Sequence, residues 1–194
     1  MINYSKDLLI QPYSPNEIVY MYDTPGTYPL NLKSSGYYKL EIVGGGGQGS
    51  GIAANANSYY SGCGGGSGAG FVGEIYLNQG NYSATVGGQA AASTFVNSNN
   101  TTLITAGGGT NAKLTNYNLS RSGGNGGTLT VDNSLTTRNV EVQSNGNKGN
   151  FTTTLSVSGN VKGGASVYEG YGKGGDGWKT GRTDGYFKLT YKGN

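Results

Sequence analysis

The sequence predicts an all-β fold, and three observations carry that prediction. Glycine fills 38 of the 194 positions, and each would cost a helix about 1 kcal/mol relative to alanine, with the abundant Asn and Thr also weak helix formers. Short segments alternate apolar and polar side chains, the period-2 pattern of a half-buried strand. These segments recur at roughly 8–12-residue intervals with turn signals between them, as in a sandwich or barrel. The 16 Tyr and the recurring Val, Ile and Leu supply enough apolar surface for a core, so the composition does not demand disorder.

Residues 1–16 lack periodicity and contain Pro12 and Pro15; they read as an arm or docking segment ahead of a domain spanning 17–194. Strand pattern begins at EIVYMY (17–22). Thr24-Pro25-Gly26 follows as a turn, because Pro presets φ and Gly accepts positive φ. TYPLNL (27–32) comes next, and Pro29, which has no N–H for a ladder, assigns it to a sheet edge. YYKLEIV (37–43) alternates most clearly: Tyr38, Leu40 and Ile42 share one face, Lys39 and Glu41 the other. Glu74 is expected to point outward into solvent like Glu41. Further strands are predicted at FVGEIYL (71–77), YSATV (82–86), STFV (93–96), TTLIT (101–105), TLTV (128–131), RNVEV (138–142), FTTTLSV (151–157) and GYFKLTY (185–191).

Five glycine clusters interrupt this pattern: two blocks within 44–70, then 106–110, 122–127 and 170–177. Flexible linkers are one reading of such stretches. These clusters, however, break a strand pattern inside one domain instead of separating two. The other reading has a mechanism. A polyproline-II-type helix has three residues per turn and no internal hydrogen bonds, so its peptide groups point outward. Without side chains, several such helices can approach to backbone contact and bond laterally, which only glycine permits. Glycine loses the most backbone entropy on ordering, so this arrangement holds only if the lateral bonds form together.

The order of these features resembles a known family. VGGGGQGSG (43–51) precedes GGGSGAGFVGEIYLNQGNYSATVGG (64–88), STFV (93–96) leads into TTLITAGGG (101–109), and YGKGGDG (171–177) precedes the terminal DGYFKLTY (184–191). This succession, over about residues 17–194, is similar to the glycine-rich domain of bacteriophage tail-fibre and tail-tip proteins, and more distantly to the glycine-rich region of the anaplastic lymphoma kinase ectodomain. The resemblance implies a jelly-roll or tumour-necrosis-factor-like β-sandwich whose glycine-rich loops project as packed polyglycine II helices. It also implies a homotrimer whose exposed loops contact a bacterial surface glycan or protein. The segment 107–170 departs from the richest members of that family, having few glycine runs and much Asn and Thr.

Several function classes lose their chemistry in this composition. The chain has no His, so a Ser or Cys nucleophile lacks its usual base, and Cys63 is the only cysteine, which leaves no zinc site and no disulfide framework. No cofactor or metal is expected. The net charge of +3 is spread thinly and no two cations adjoin, which gives no footprint for nucleic acid. No stretch approaches the roughly 20 apolar residues of a membrane span, and the first residues lack the apolar core of a signal peptide. The carboxylates read as surface and turn residues, not as a glycosidase pair.

Binding is expected at aromatic residues flanked by Gly or small polar residues: Tyr59, Tyr60, Tyr168, Tyr171 and Trp178. A ring in such a setting offers rigid apolar area with a polar handle, suited to a sugar face or a protein contact; the alternative is that it staples the glycine layer. The leading expectation is a non-enzymatic virion protein, made in the host cytoplasm and docked to other virion proteins by its arm. It would serve as a tail-fibre tip or a head-fibre decoration in host-surface attachment. The alternatives are a bacterial surface adhesin or matrix protein, and a polysaccharide-degrading tail-spike enzyme.

Overall fold

The computed structural model describes residues 12–53, 60–115, 120–151, 161–176 and 181–194. Ten strands pair antiparallel in two five-stranded sheets, and no helix occurs among the described residues. The first sheet has the order β1 (Ile18–Tyr22), β14 (Tyr186–Gly193), β3 (Gly36–Val43), β6 (Gly70–Leu77), β13 (Thr137–Ser144). The second runs β12 (Leu129–Val131), β9 (Thr102–Ala106), β8 (Ser93–Asn97), β7 (Gly80–Val86), β2 (Gly26–Leu32). The chain is an all-β sandwich. Pro29 lies on the edge strand β2, opposite Ser83 of β7, so its missing N–H breaks no ladder.

The period-2 alternation places the core. Tyr38, Leu40 and Ile42 of β3, Phe71 and Ile75 of β6, and Phe187 and Leu189 of β14 meet Leu30, Leu32, Phe95 and Ile104 from the second sheet. Phe95 and Phe187 bridge the two layers with ring centroids 5.7 Å apart. Residues 12–16 of the expected arm lie along this body: Tyr13 packs edge-on to Tyr38 at 6.3 Å, and Asn16 donates its amide to the carbonyl of Tyr191.

Two short hairpins arise where no alternation is legible, β4 (Ser50–Ala53) with β5 (Tyr60–Cys63) and β10 (Lys113–Thr115) with β11 (Ser120–Ser122). The strand expected at 151–157 falls almost wholly outside the described residues; Phe151 itself forms an isolated bridge to Cys63.

The glycine clusters continue the first sheet and the second into a common lattice. Segment 64–69, which leads into β6, donates its successive amides to the carbonyls of Asn150, Gly175, Thr110, Asn147, Gly172 and Gly107. Each neighbouring segment is thus served by every third amide: 145–150 by residues 64 and 67, 172–175 by 65 and 68, 107–110 by 66 and 69. The carbonyls of residues 64 and 67 accept from Gly124 and Gly127, those of 66 and 69 from Gly47 and Gly44, and that of Gly65 from Gly164. One segment therefore bonds to six others. A β-ladder, by contrast, alternates bonds between two neighbours in one plane.

Such packing tolerates almost no side chain. A Cβ on Gly66 would stand 1.8 Å from the carbonyl oxygen of Asn125, and one on Gly45 would stand 1.8 Å from that of Gly88. Ser67 is the polar exception at the centre, fully buried, with its Oγ accepting the amide of Asn147 at 2.7 Å.

Chain direction fixes the geometry of the far end. Segments 44–49, 107–112, 145–150 and 172–176 run outward, and 64–69, 123–127, 161–164 and 181–185 return. The chain accordingly leaves and re-enters the lattice at 49/64, 112/123, 150/161 and 176/181, all on the side remote from the sandwich.

Glycine substitutions test this packing directly. Gly66→Ala is expected to cost more than about 3 kcal/mol, because a rigid backbone oxygen occupies the new methyl position. Gly181→Ala, whose Cβ meets nothing closer than Asp176 Oδ2 at 3.9 Å, is expected to stay within about 0.5 kcal/mol of wild type in chemical or thermal unfolding. Native-state hydrogen exchange supplies an independent check: the amides of 64–69 should exchange far more slowly than those of exposed turns such as 97–100.

Candidate functional site

Two of the five sequence-predicted aromatics meet where the lattice joins the outer face of the first sheet. Tyr168, Glu169, Gly170 and Tyr171 form a tight turn in which Glu169 and Gly170 have φ of 43° and 85° and the amide of Tyr171 donates to the carbonyl of Tyr168 at 3.0 Å. Positive φ at both central positions is the signature of the type I′ turn. Glycine takes it freely; for Glu169 it is an uncommon conformation held by its surroundings. Two hydroxyls supply that hold. Ser166 Oγ accepts the amide of Tyr168 and lies in hydrogen-bond range of the carbonyls of Tyr168 and Tyr171, and Thr183 Oγ1 donates to the carbonyl of Gly170 at 2.7 Å.

The turn presses the Tyr171 ring onto Tyr186 of β14, with centroids 4.2 Å apart and 15° between planes. Tyr168 is half-buried, and its hydroxyl faces the carboxylates of Glu41 and Glu169. Beside the stack opens a shallow cleft of about 450 Å³, lined among others by Asp23, Glu169, Tyr171, Arg182 and Asp184. That volume lies within the range of small-ligand sites. Three carboxylate acceptors, one guanidinium donor and an aromatic edge can engage the hydroxyls and apolar faces of a sugar ring.

Below the turn, the outer face corrects the expectation that Glu41 and Glu74 are solvated. Both point away from the core as their strand positions require, yet their exposures are 4% and 9%. Glu41 Oε2 stands 3.2 Å from Lys188 Nζ, with Tyr168 and Tyr186 close by. Glu74 accepts from Arg138 Nε at 2.6 Å, and the Arg138 guanidinium lies 3.5 Å from the centre of the Tyr37 ring. Burial pushes the Glu74 carboxyl upward, but the hydrogen bonds from Arg138 and Asn139 and the charges of Arg138 and Lys192 together outweigh it and leave the carboxyl below its ordinary value. Lys39 completes the row, donating to both oxygens of Glu141 at 2.7 and 2.9 Å.

The remaining predicted residues are placed differently. Tyr60 opens β5, opposite Ala53 in register, while Tyr59 and Trp178 lie outside the described residues. Sequence reasoning missed Asp23, Arg182, Asp184, Tyr186 and Lys188, which reach the Tyr168–Tyr171 turn from β14, from the segment before it and from the β1–β2 turn. The strand pattern around Tyr186 signalled a sheet position and nothing more. Among the described residues no cluster of His, Cys, Asp and Glu is arranged to hold a metal ion.

The ring stack has a pH signature. Burial first, then the charge of Glu41, pushes the Tyr186 phenol up to about 12, and burial followed by Glu41 also raises Tyr168. A raised folded value means that the native protein holds these protons more tightly than the unfolded chain, whose tyrosines titrate near ~10. The stabilisation is complete below about pH 10 and is lost as the pH climbs from there toward about 12. Denaturant midpoints measured at successive alkaline pH values should fall across that window, and Tyr186→Phe should flatten the part of the fall that this residue contributes.

In comparisons with known proteins, no family model and no curated protein matches the chain.

Proposed function

We propose that the chain is a non-enzymatic attachment module of a bacteriophage particle, working at a tail-fibre tip or as a head-fibre decoration against the host surface. The observation that carries this reading is the hydrogen-bond pattern of segment 64–69, six neighbours served at a period of three. That period is the one expected of packed polyglycine-II-type helices, the feature that the resemblance to tail-fibre glycine-rich domains implies. A lattice of this kind is stiff and chemically bare. It suits a role in which side chains at its boundary, not within it, meet a partner.

The chemistry of the Tyr168–Tyr171 cleft supports binding to a surface glycan. Rigid aromatic area beside a few fixed polar groups is the usual composition of a recognition site. In the particle the module is a homotrimer joined to other virion proteins through residues preceding the domain. A second reading, a tail-spike hydrolase, draws on the three carboxylates around the same cleft; a bacterial surface adhesin is the third.

One set of measurements separates these readings. Light scattering after size-exclusion chromatography should report a trimer, and gold-labelled antibody should decorate phage particles and not the uninfected cell surface. Fluorescently labelled protein should adhere to host cells, with Tyr171→Ala reducing adhesion about tenfold if the stacked ring contributes roughly 1.4 kcal/mol. No reducing sugar should be released from host polysaccharide; steady release that disappears in Asp184→Asn would establish the hydrolase instead.

A further inference from the structure

The sequence spreads its cations singly along the chain, but the fold sorts them. Segments 44–70, 106–127 and 145–185, which build the lattice and its extensions, carry seven of the thirteen Lys and Arg and three of the ten Asp and Glu. The sandwich and the first sixteen residues hold the other six cations and seven carboxylates, and there three cations are tied up on the outer face: Lys39 with Glu141, Arg138 with Glu74, Lys188 with Glu41.

The sorting is sharpest at the far end of the lattice. Lys113 stands where the 107–112 segment emerges, Lys148 near the end of the outgoing 145–150 segment and Lys162 at the start of its return; all three are exposed. Among the described residues none of them is held in an ion pair. The carboxylate nearest to this end in the described chain, Asp176, turns inward and accepts the amide of Gly163 at 2.8 Å.

Lys113 and Lys148 flank one cleft of about 330 Å³, whose other walls include Thr110, Asn111, Ser122 and Asn125. Among the described residues no carboxylate lines it. The Oδ1 of Asn111 already accepts from the amide of Gln48 and from Gln89 Nε2, which leaves the amide nitrogen of Asn111 as its donor. The cleft is therefore rich in donors, walled by rigid backbone and positive on both sides.

We propose that this distal cleft is a binding site for an anionic glycan, a surface polysaccharide bearing carboxylate or phosphate groups, with Lys113 and Lys148 as its charge contacts and Asn111 as a donor. Complementary charge at the rim accelerates encounter and selects against uncharged chains. Its biological use rests on the attachment reading, whereas its chemistry does not. Lattice segments that are far apart in sequence supply the two lysines, which is why no basic run announces the site.

The experiment uses the full chain and four probes: polygalacturonate for carboxylate, long-chain polyphosphate for phosphate, neutral dextran, and a short duplex DNA. Calorimetry at low salt is expected to show binding to one or both of the first two and none to dextran; the stronger of the pair identifies the anion. Lys113→Gln/Lys148→Gln should weaken that binding about tenfold and remove most of its salt dependence. Lys33→Gln/Lys192→Gln, which lowers net charge equally but lies on the sandwich, should leave it unchanged. Equal losses in both double variants, equal affinity for dextran, or duplex DNA as the tightest ligand would each overturn the assignment. Host-cell adhesion is measured alongside. Adhesion that survives unchanged in Lys113→Gln/Lys148→Gln refutes a role for this cleft in attachment and leaves the attachment reading standing, whereas failure of the wild-type protein to adhere to any host cell refutes attachment while the calorimetry still judges the cleft.

Discussion

Everything in this structure depends on how closely one peptide backbone can approach another. In a sheet the approach is confined to a plane, and side chains separate the layers by about 10 Å. In the glycine lattice that separation is gone. Carbonyl oxygens occupy the places where side chains would begin, as Asn125 does against Gly66. The stabilising currency changes with it. The sandwich is held by buried apolar area, from Phe71, Phe95, Phe187 and their neighbours. The lattice has almost no apolar side chain to bury, and its cohesion is a set of backbone hydrogen bonds, each contributing about 1 kcal/mol net. Those bonds offset the large entropy of ordering glycine only when they form as a set.

A dependence of one half on the other follows. Outgoing and returning lattice segments are launched by strands: Val43 of β3 hands directly to Gly44, Ala69 to Gly70 of β6, Ala106 of β9 to Gly107, and Gly185 to Tyr186 of β14. The sandwich fixes the relative positions of these launch points, and with them which glycine segments lie side by side. An isolated glycine segment would have nothing to recruit it, since neither propensity nor burial favours order. The hydrophobic core thus acts as the template for a layer that contains no core of its own. The Glu41–Lys188 pair of the outer face belongs to the same junction, because the turn that shelters Glu41 is also the bridge from the returning segment 161–164 into 172–176.

This division of labour explains what could be read from the sequence. Wherever the core needed alternation, the pattern was visible: Tyr38-Leu40-Ile42, Phe187-Leu189-Tyr191 and the edge position of Pro29 all stand where period and backbone chemistry put them. The lattice was legible as composition and as a mechanism, but its pairings were not. Residue 64 bonds to residue 150 and residue 65 to residue 175, and nothing in a run of identical glycines encodes which run lies beside which. The same limit hid the candidate sites. Tyr168 and Tyr171 stood out because aromatic rings among glycines have no local core to enter. Their partners Tyr186, Lys188 and Asp23 sit in ordinary strand and turn contexts and become neighbours only through the lattice. The solvated reading of Glu41 failed for the same reason, since its cover comes from a turn more than a hundred residues downstream.

A layer that excludes side chains also decides where recognition can occur. No pocket can open inside the lattice, because any residue large enough to line it would first have to displace a carbonyl oxygen. Chemistry is therefore pushed to the two boundaries, the junction with the sandwich and the far end. These boundaries differ in character. At the junction, strands and lattice converge, polar groups are sheltered, and charges are neutralised in pairs such as Glu41 with Lys188. At the far end the outgoing segments leave the lattice and the returning ones re-enter it, and the exposed Lys113 and Lys148 flank a cleft that no carboxylate of the described residues lines. Substitution there alters no carbonyl contact and no core packing, so the end can change its chemistry while the scaffold stays as it is. The bare backbone is what uncouples the two: it transmits position from the sandwich to the tip, and places no demand on which side chains the tip carries.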